Sequence, residues 1–150
     1  MTYTIKAVTA ADLSAMRGML AVFAEAFGER DTYLGHQPSD AYLMGLLGKP
    51  HFIALVALAG DTVVGALAAY VLEKFEQARS EVYIYDLAVA EAHRRRGLAT
   101  SLIRELQGIA RERGAYVIFV QADHGDDPAI RLYESLGARE EVLHFDIPPR

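Results

Sequence analysis

Residues 80–113 read SEVYIYDLAVAEAHRRRGLATSLIRELQGIARER, and the fold is decided within them. Tyr83, Ile84, Tyr85, Leu87 and Val89 are aromatic, β-branched or aliphatic, as a strand buried along most of its length requires. Asp86 interrupts that run. From Gly97 the period changes: Leu98, Ser101, Leu102, Glu105, Leu106 and Ile109 recur at helical spacing, and Gly114 is placed to end the helix. The stretch is strand, loop, helix.

A loop that feeds a helix N-terminus offers unpaired backbone N–H groups and the positive end of the helix dipole, and both attract phosphate. Gly97 lets the backbone come close to such a group, while Arg94, Arg95 and Arg96 add positive charge around it. The first helical turn, Leu98, Ala99 and Thr100, completes the loop. Neither GxxxxGK[ST] nor GxGxxG is present, so this is not a P-loop or a dinucleotide fingerprint.

What remains, Arg94-x-x-Gly97-x-Ala99, resembles the acetyl-CoA loop [QR]-x-x-G-x-[GA] of the GNAT N-acetyltransferases. The YIYDLAV strand before it and the LYESLGA segment after the next strand stand where that family has such elements. The resemblance implies an α/β fold with a mixed, mostly antiparallel sheet, splayed at the cofactor site and carrying helices on both faces. It also implies acetyl-CoA as co-substrate and acyl transfer to an amine.

Such a transfer needs a neutral amine, a polarised carbonyl and a protonated leaving thiolate. Asp86 is the first choice for the base, because burial in an apolar strand raises a carboxyl's pKa toward a useful value; the same carboxylate could instead anchor a substrate ammonium. Backbone N–H groups of Leu87, Ala88 and Val89 are the natural polarising donors where the strand breaks its ladder. Tyr133, within LYESLG, resembles the family tyrosine that protonates the coenzyme A sulfur.

Composition agrees. A length of 150 residues with 52% apolar content fits one domain spanning residues 1–150 with a substantial core. No cysteine is present, which excludes disulfides, thiolate metal sites and a cysteine acyl-enzyme. The start lacks a signal-peptide pattern and no apolar run is long enough to span a membrane, so a cytoplasmic protein without membrane partners is expected. The histidines show no metal spacing, and no metal is assigned. A formal net charge of −5 argues against nucleic acid. Residues 94–113 hold six arginines against two glutamates, and residues 121–150 hold seven acids against three arginines. One side suits an anionic cofactor and the other a cationic substrate.

Along the chain, Tyr3 to Val8 reads as a strand. Thr9 and Asp12 form a capping box for a helix through Phe27, ended by Gly28. The stretch from Glu29 to Asp40 has no period and reads as an acidic loop, before a second helix capped by Ser39 and stopped by Gly48 and Pro50. HFIALVALA and TVVGALAAYVL form a hairpin across Gly60-Asp61. After the stretch quoted above, YVIFVQAD is a buried strand and DHGDD a loop. Asp126 or Asp127 then caps a helix with Pro128 in its first turn. A last strand, about Glu140 to Ile147, closes the order β-α-α-β-β-β-α-β-α-β.

From about Tyr33 to Ile147 the chain resembles the GNAT-type aminoglycoside 3-N-acetyltransferases, which acetylate gentamicin. HQPSDAYL, VVGALAAYVLEKFEQARSEVYIYDLAV, HRRRGLATSLI and GAYVIFVQADHGDDPAIRLYESLGAREEVLHFDI carry the likeness. The 3-amino group of the deoxystreptamine ring as acceptor follows from resemblance alone. A polycation with little apolar surface calls for a trough of carboxylates. Glu29, Asp31, Asp40, Asp123, Asp126, Asp127 and Glu140 are the candidates, with Tyr85 beside them. Polyamines are the alternative substrates. Tyr83 stands where histone-type acetyltransferases have a basic glutamate, which turns attention to Asp86. The last strand, if exposed, would suit a homodimer.

Overall fold

In the computed structural model, which describes residues 2–150, five strands form one sheet in the order β1-β2-β3-β4-β5. They are β1 (Tyr3–Ala7), β2 (Phe52–Ala59), β3 (Thr62–Glu73), β4 (Ser80–Val89) and β5 (Ala115–Val120). The first four are antiparallel, and β5 lies parallel to β4. That parallel pairing follows from the connection, because the helix α3 (Leu98–Glu112) carries the chain back across the sheet between the two strands.

The sheet is apolar on both faces because helices cover both. Leu102 and Leu106 of α3, fully buried, pack with Leu55, Leu67, Val82 and Ile84 on one face. Leu132, Tyr133 and Leu136, in and just after α4 (Asp127–Glu134), extend that cluster. On the other face Met16, Met19 and Phe23 of α1 (Leu13–Phe27), with Leu43 of α2 (Asp40–Leu47), cover Ala54, Val56, Ala66 and Ala88.

The expected caps at Ser39 and Asp126 form: Ser39 accepts from the Tyr42 N–H at 3.2 Å, and Asp126 from the Ala129 N–H at 3.4 Å. The capping box does not. Asp12 itself occupies the N-cap position of α1 without a side-chain cap, its carboxylate drawn to Lys6 at 2.5 Å. Within the acidic loop a π-helical turn forms over Asp31–Gly35, a local structure with no apolar period to announce it.

Two irregularities shape the site. The ladder between β4 and β5 ends at Ile84 opposite Val120, so Tyr85 to Val89 have no strand on that side, and the sheet splays there. In the β3–β4 ladder Ala69 faces Ile84 while Ala68 faces Asp86, leaving Tyr85 as the extra residue of a β-bulge.

The last strand is a correction. Residues 138–150 form no helix or strand and pair with nothing in the sheet, although Val142, Leu143, Phe145 and Ile147 are 72–87% exposed. Their alternation suits a strand, but a strand exists only where a second backbone meets it.

Candidate active site

The bulge at Tyr85 decides where Asp86 points. Val82 and Ile84 lie on the α3 face, and strict alternation would send residue 86 the same way. The extra residue turns Asp86 over instead, placing it opposite Ala68 on the α1 face. There the Tyr33 hydroxyl donates to Asp86 Oδ2 at 2.8 Å. Tyr33 comes from the π-helical turn and is held by Phe23 and Phe27, whose ring centroids lie 5.7 and 5.9 Å from its own.

The half-buried Asp86 carboxyl is pushed above its ordinary range by loss of solvent, and the Tyr33 hydrogen bond pulls the other way. Burial, then the bond to Asp86, raises Tyr33 in turn, so it remains a neutral donor. Sequence reasoning missed Tyr33. Its only signal was an aromatic residue inside a polar, aperiodic loop.

Tyr85 is 61% exposed and stands edge-on to Tyr70 and Tyr83 at 5.8 and 5.7 Å. Tyr83 stacks on Phe119 at 4.6 Å and donates to Gln121 at 3.0 Å, tying β4 to the end of β5 where the strands separate. The result is an aromatic wall beside Asp86 on the same face.

At the other end of β4, a short turn (Glu91–His93) leads into Arg94, Arg95 and Arg96. Gly97 has φ +75°, and a Cβ built there would meet nothing within 4 Å. Among the described residues no side chain caps α3, which leaves the N–H groups at its start open to a ligand. Arg94 turns back, donating from Nε to the Val89 carbonyl at 3.1 Å. Arg95 has a positive φ of 63°, a conformation that bends the loop around the helix start. Cationic side chains, an uncapped helix start and open space at Gly97 fit an anionic pyrophosphate.

Tyr133 is half-buried against the α3-face core, and burial, then the Asp126 charge, pushes its hydroxyl up to about 12. Among the described residues no hydrogen bond is made by that hydroxyl. Of the acidic candidates, Glu29 lies near enough to Tyr33 to affect its ionisation, and Asp31 begins the same turn. Asp123 lies in the exposed loop after β5, Asp126 is the N-cap of α4 and Asp127 its first residue. Asp40 is committed to Arg17 at 2.6 Å, a tie between α1 and α2. Glu140 stands in the unpaired C-terminal segment. Among the described residues no three metal-ligating side chains converge, and no helix is long and apolar enough to cross a membrane.

Residues 18–138 match the model of the acetyltransferase (GNAT) family. The chain belongs to the GNAT acetyltransferase family. GNAT acetyltransferases use acetyl-CoA. Over its full length the chain is 55% identical to an aminoglycoside acetyltransferase from an uncultured soil metagenomic sample, with a TM-score of 0.97 and all of both chains covered. A second crystal structure from such a sample, an aminoglycoside acetyltransferase in complex with sisomicin, is 31% identical with a TM-score of 0.91, covering 99% of this chain and 97% of that one. The streptothricin acetyltransferase of Streptomyces lavendulae is 32% identical over 82 residues, 55% of this chain and 42% of that protein. The chain spans about two fifths of the length of the curated relatives it matches.

Proposed function

We propose that this GNAT protein transfers the acetyl group of acetyl-CoA to the 3-amino group of the deoxystreptamine ring in gentamicin-type aminoglycosides, as one catalytic domain over residues 1–150, and so confers resistance in the cytoplasm. The observation that carries the reading is a half-buried carboxyl, Asp86, raised in pKa and presented beside an exposed aromatic wall. Full-length likeness to aminoglycoside acetyltransferases supports the substrate class.

Acetyl-CoA supplies an activated thioester. Gly97 and the N–H groups of Leu98, Ala99 and Thr100 hold its pyrophosphate, with Arg95 and Arg96 neutralising charge. Arg94 fixes the end of β4, so that the free edge of Leu87, Ala88 and Val89 faces the acyl group. Asp86 takes the proton that an acceptor ammonium must lose, and a raised pKa brings the carboxylate closer to that task. Tyr133, high in pKa and therefore protonated, holds a proton for the departing sulfur. Glu29, Asp31, Asp123, Asp126 and Asp127, with the Tyr85 ring, attract and orient the polycation.

The deciding experiment incubates the protein with acetyl-CoA and gentamicin, sisomicin or spermidine, and locates the added acetyl group by mass spectrometry and NMR. Acetylation at the 3-amino position is expected. Preference for spermidine, or acetyl at another amine, overturns the substrate or the regiochemistry respectively.

A further inference from the structure

Arg17 of α1 commits its guanidinium to one short stretch of chain. Its Nη1 donates to Gln37 Oε1 at 2.6 Å, and its Nη2 to the Pro38 carbonyl at 3.2 Å and to Asp40 Oδ1 at 2.6 Å. That stretch is the exit of the loop that carries Tyr33. The chain leaves α1 at Gly28, turned by a φ of +64°, and forms the π-helical turn over Asp31–Gly35. By Gln37 it has returned to Arg17, about 16 Å back along the helix at a rise of about 1.5 Å per residue. The entrance of the loop is held by backbone, the Glu29 N–H donating to the Ala24 carbonyl at 3.0 Å. The exit has no such tie. Among the described residues no backbone hydrogen bond joins Gln37 or Pro38 to α1 or to the sheet, and Pro38 has no N–H to offer. The base of the clamp is itself fixed: beside Arg17 the helix rests so closely on β3 that a Cβ on Gly18 would lie 2.7 Å from Val63 Cγ2.

We infer that Arg17 is a positioning residue for Asp86: by gripping Gln37, Pro38 and Asp40 it fixes the exit of the loop, and with it the depth at which the Tyr33 hydroxyl meets the carboxylate. Packing alone does not set that depth. The contact of Tyr33 with Phe23 and Phe27 is apolar and non-directional, so the ring can slide along them. A planar guanidinium, by contrast, holds its acceptors in the one arrangement that its fork allows. Stability does not explain the cluster. Asp40 is 70% exposed, and an ion pair with a partner so open to water contributes little. Arg17 and both phenylalanines stand on one helix, so α1 carries the support of the ring and the anchor of the loop as one body. The part of Arg17 in turnover rests on the reading of Asp86 as the base; its part in placing Tyr33 does not.

Titration of Tyr33 tests the placement, and a double-mutant cycle tests its use. The titratable groups that bear on the Tyr33 hydroxyl are Asp86 and Tyr85 of β4 and Glu29 at the entrance of the loop, while α1 faces it with Phe23 and Phe27. Burial, the bond to Asp86 and these charges all raise it, so withdrawal of the ring lowers its midpoint toward the free-tyrosine value of about 10. The midpoint is read by NMR on protein carrying isotope-labelled tyrosine, with the Tyr33 signal assigned by its loss in Tyr33→Phe. Tyr33 is expected to stay protonated past the free value in the parent and to titrate at lower pH in Arg17→Ala. Arg17→Lys, which keeps the charge but not the fork, should fall between them. Ser39→Ala, which uncaps α2 and leaves the Arg17 bonds in place, should match the parent. An unmoved Tyr33 in Arg17→Ala, or in Arg17→Lys should the alanine variant not fold, overturns the inference. An equal displacement in Ser39→Ala does so too, because α2 would then hold the loop. With acetyl-CoA and gentamicin, Arg17→Ala is expected to lower kcat by roughly 10–10²-fold and to add little to Tyr33→Phe. The same further loss in both backgrounds overturns the inference. A displaced Tyr33 with kcat unchanged would support the placement and overturn Asp86 as the base, so the two failures are told apart.

Discussion

The Tyr33 hydroxyl lies 2.8 Å from Asp86 Oδ2, joining a turn near the N-terminus to the middle of β4 across 53 residues of sequence. The bond opposes the effect of burial on the carboxyl. Tyr33→Phe removes the donor and leaves the aromatic packing on Phe23 and Phe27. Asp86 should then titrate at higher pH, and the acidic limb of the pH–rate profile should move up with it. Profiles of kcat for the two proteins check this. An unmoved limb means that Asp86 does not control that limb.

Asp86→Asn separates chemistry from stability. Turnover should fall by roughly 10²–10⁴ if the carboxylate is the base, whereas an ammonium anchor would show its loss mainly in KM. Stability should change in the opposite sense. With its folded pKa raised, the carboxyl binds more protons folded than unfolded, so its contribution is lost as pH rises from the ordinary value of about 3.9 through the raised one. Asparagine can still accept from Tyr33 and carries no charge to desolvate. The variant should therefore melt higher than the parent at neutral pH and converge with it in acid. Melting curves across that range decide the matter.

Gly97→Val should weaken acetyl-CoA binding at least tenfold by calorimetry. Its φ of +75° is one that a β-branched residue adopts only with strain, and the new side chain would fill the space left open for a pyrophosphate. The overall fold should survive, since that space touches no protein atom within 4 Å. Undiminished affinity in a folded variant would remove the loop from the binding site.

Leu106 is fully buried between α3 and the sheet. Leu106→Ala should cost about 2–5 kcal/mol, read as a lower urea midpoint at fixed protein concentration with the slope unchanged.

Aminoglycoside KM should rise with salt, because the attraction between the acidic rim and a polycation is screened over about 8 Å at physiological ionic strength. Kinetics from low to high chloride will show it. A KM indifferent to salt argues for recognition by shape on the aromatic wall.

The helices and the five strands were legible because each carries its own period or its own stop: Leu98 to Ile109 repeats as a helix, and Gly60-Asp61 marks a hairpin. The loop from Arg94 to Gly97 was legible as the entry to α3 because the helical period begins directly after Gly97. Three features were not. Tyr33 sits in a turn whose geometry has no side-chain pattern. The bulge at Tyr85 is a backbone event that the residues YIYDL do not announce. The last strand was misplaced because alternation reports which sides of a segment are apolar and says nothing of what covers them.

The bulge carries one more lesson. In an unbroken strand, odd and even positions are fixed to opposite sides, so a single inserted residue reverses the parity of everything after it. Delete Tyr85, and Asp86 keeps its distance along the chain from Gly97 but is delivered among the leucines of α3, as a buried charge without a partner. Whether this carboxylate is a reagent or a defect is thus written in a residue count, and a comparison that scores only which amino acids are present would judge the two chains nearly the same.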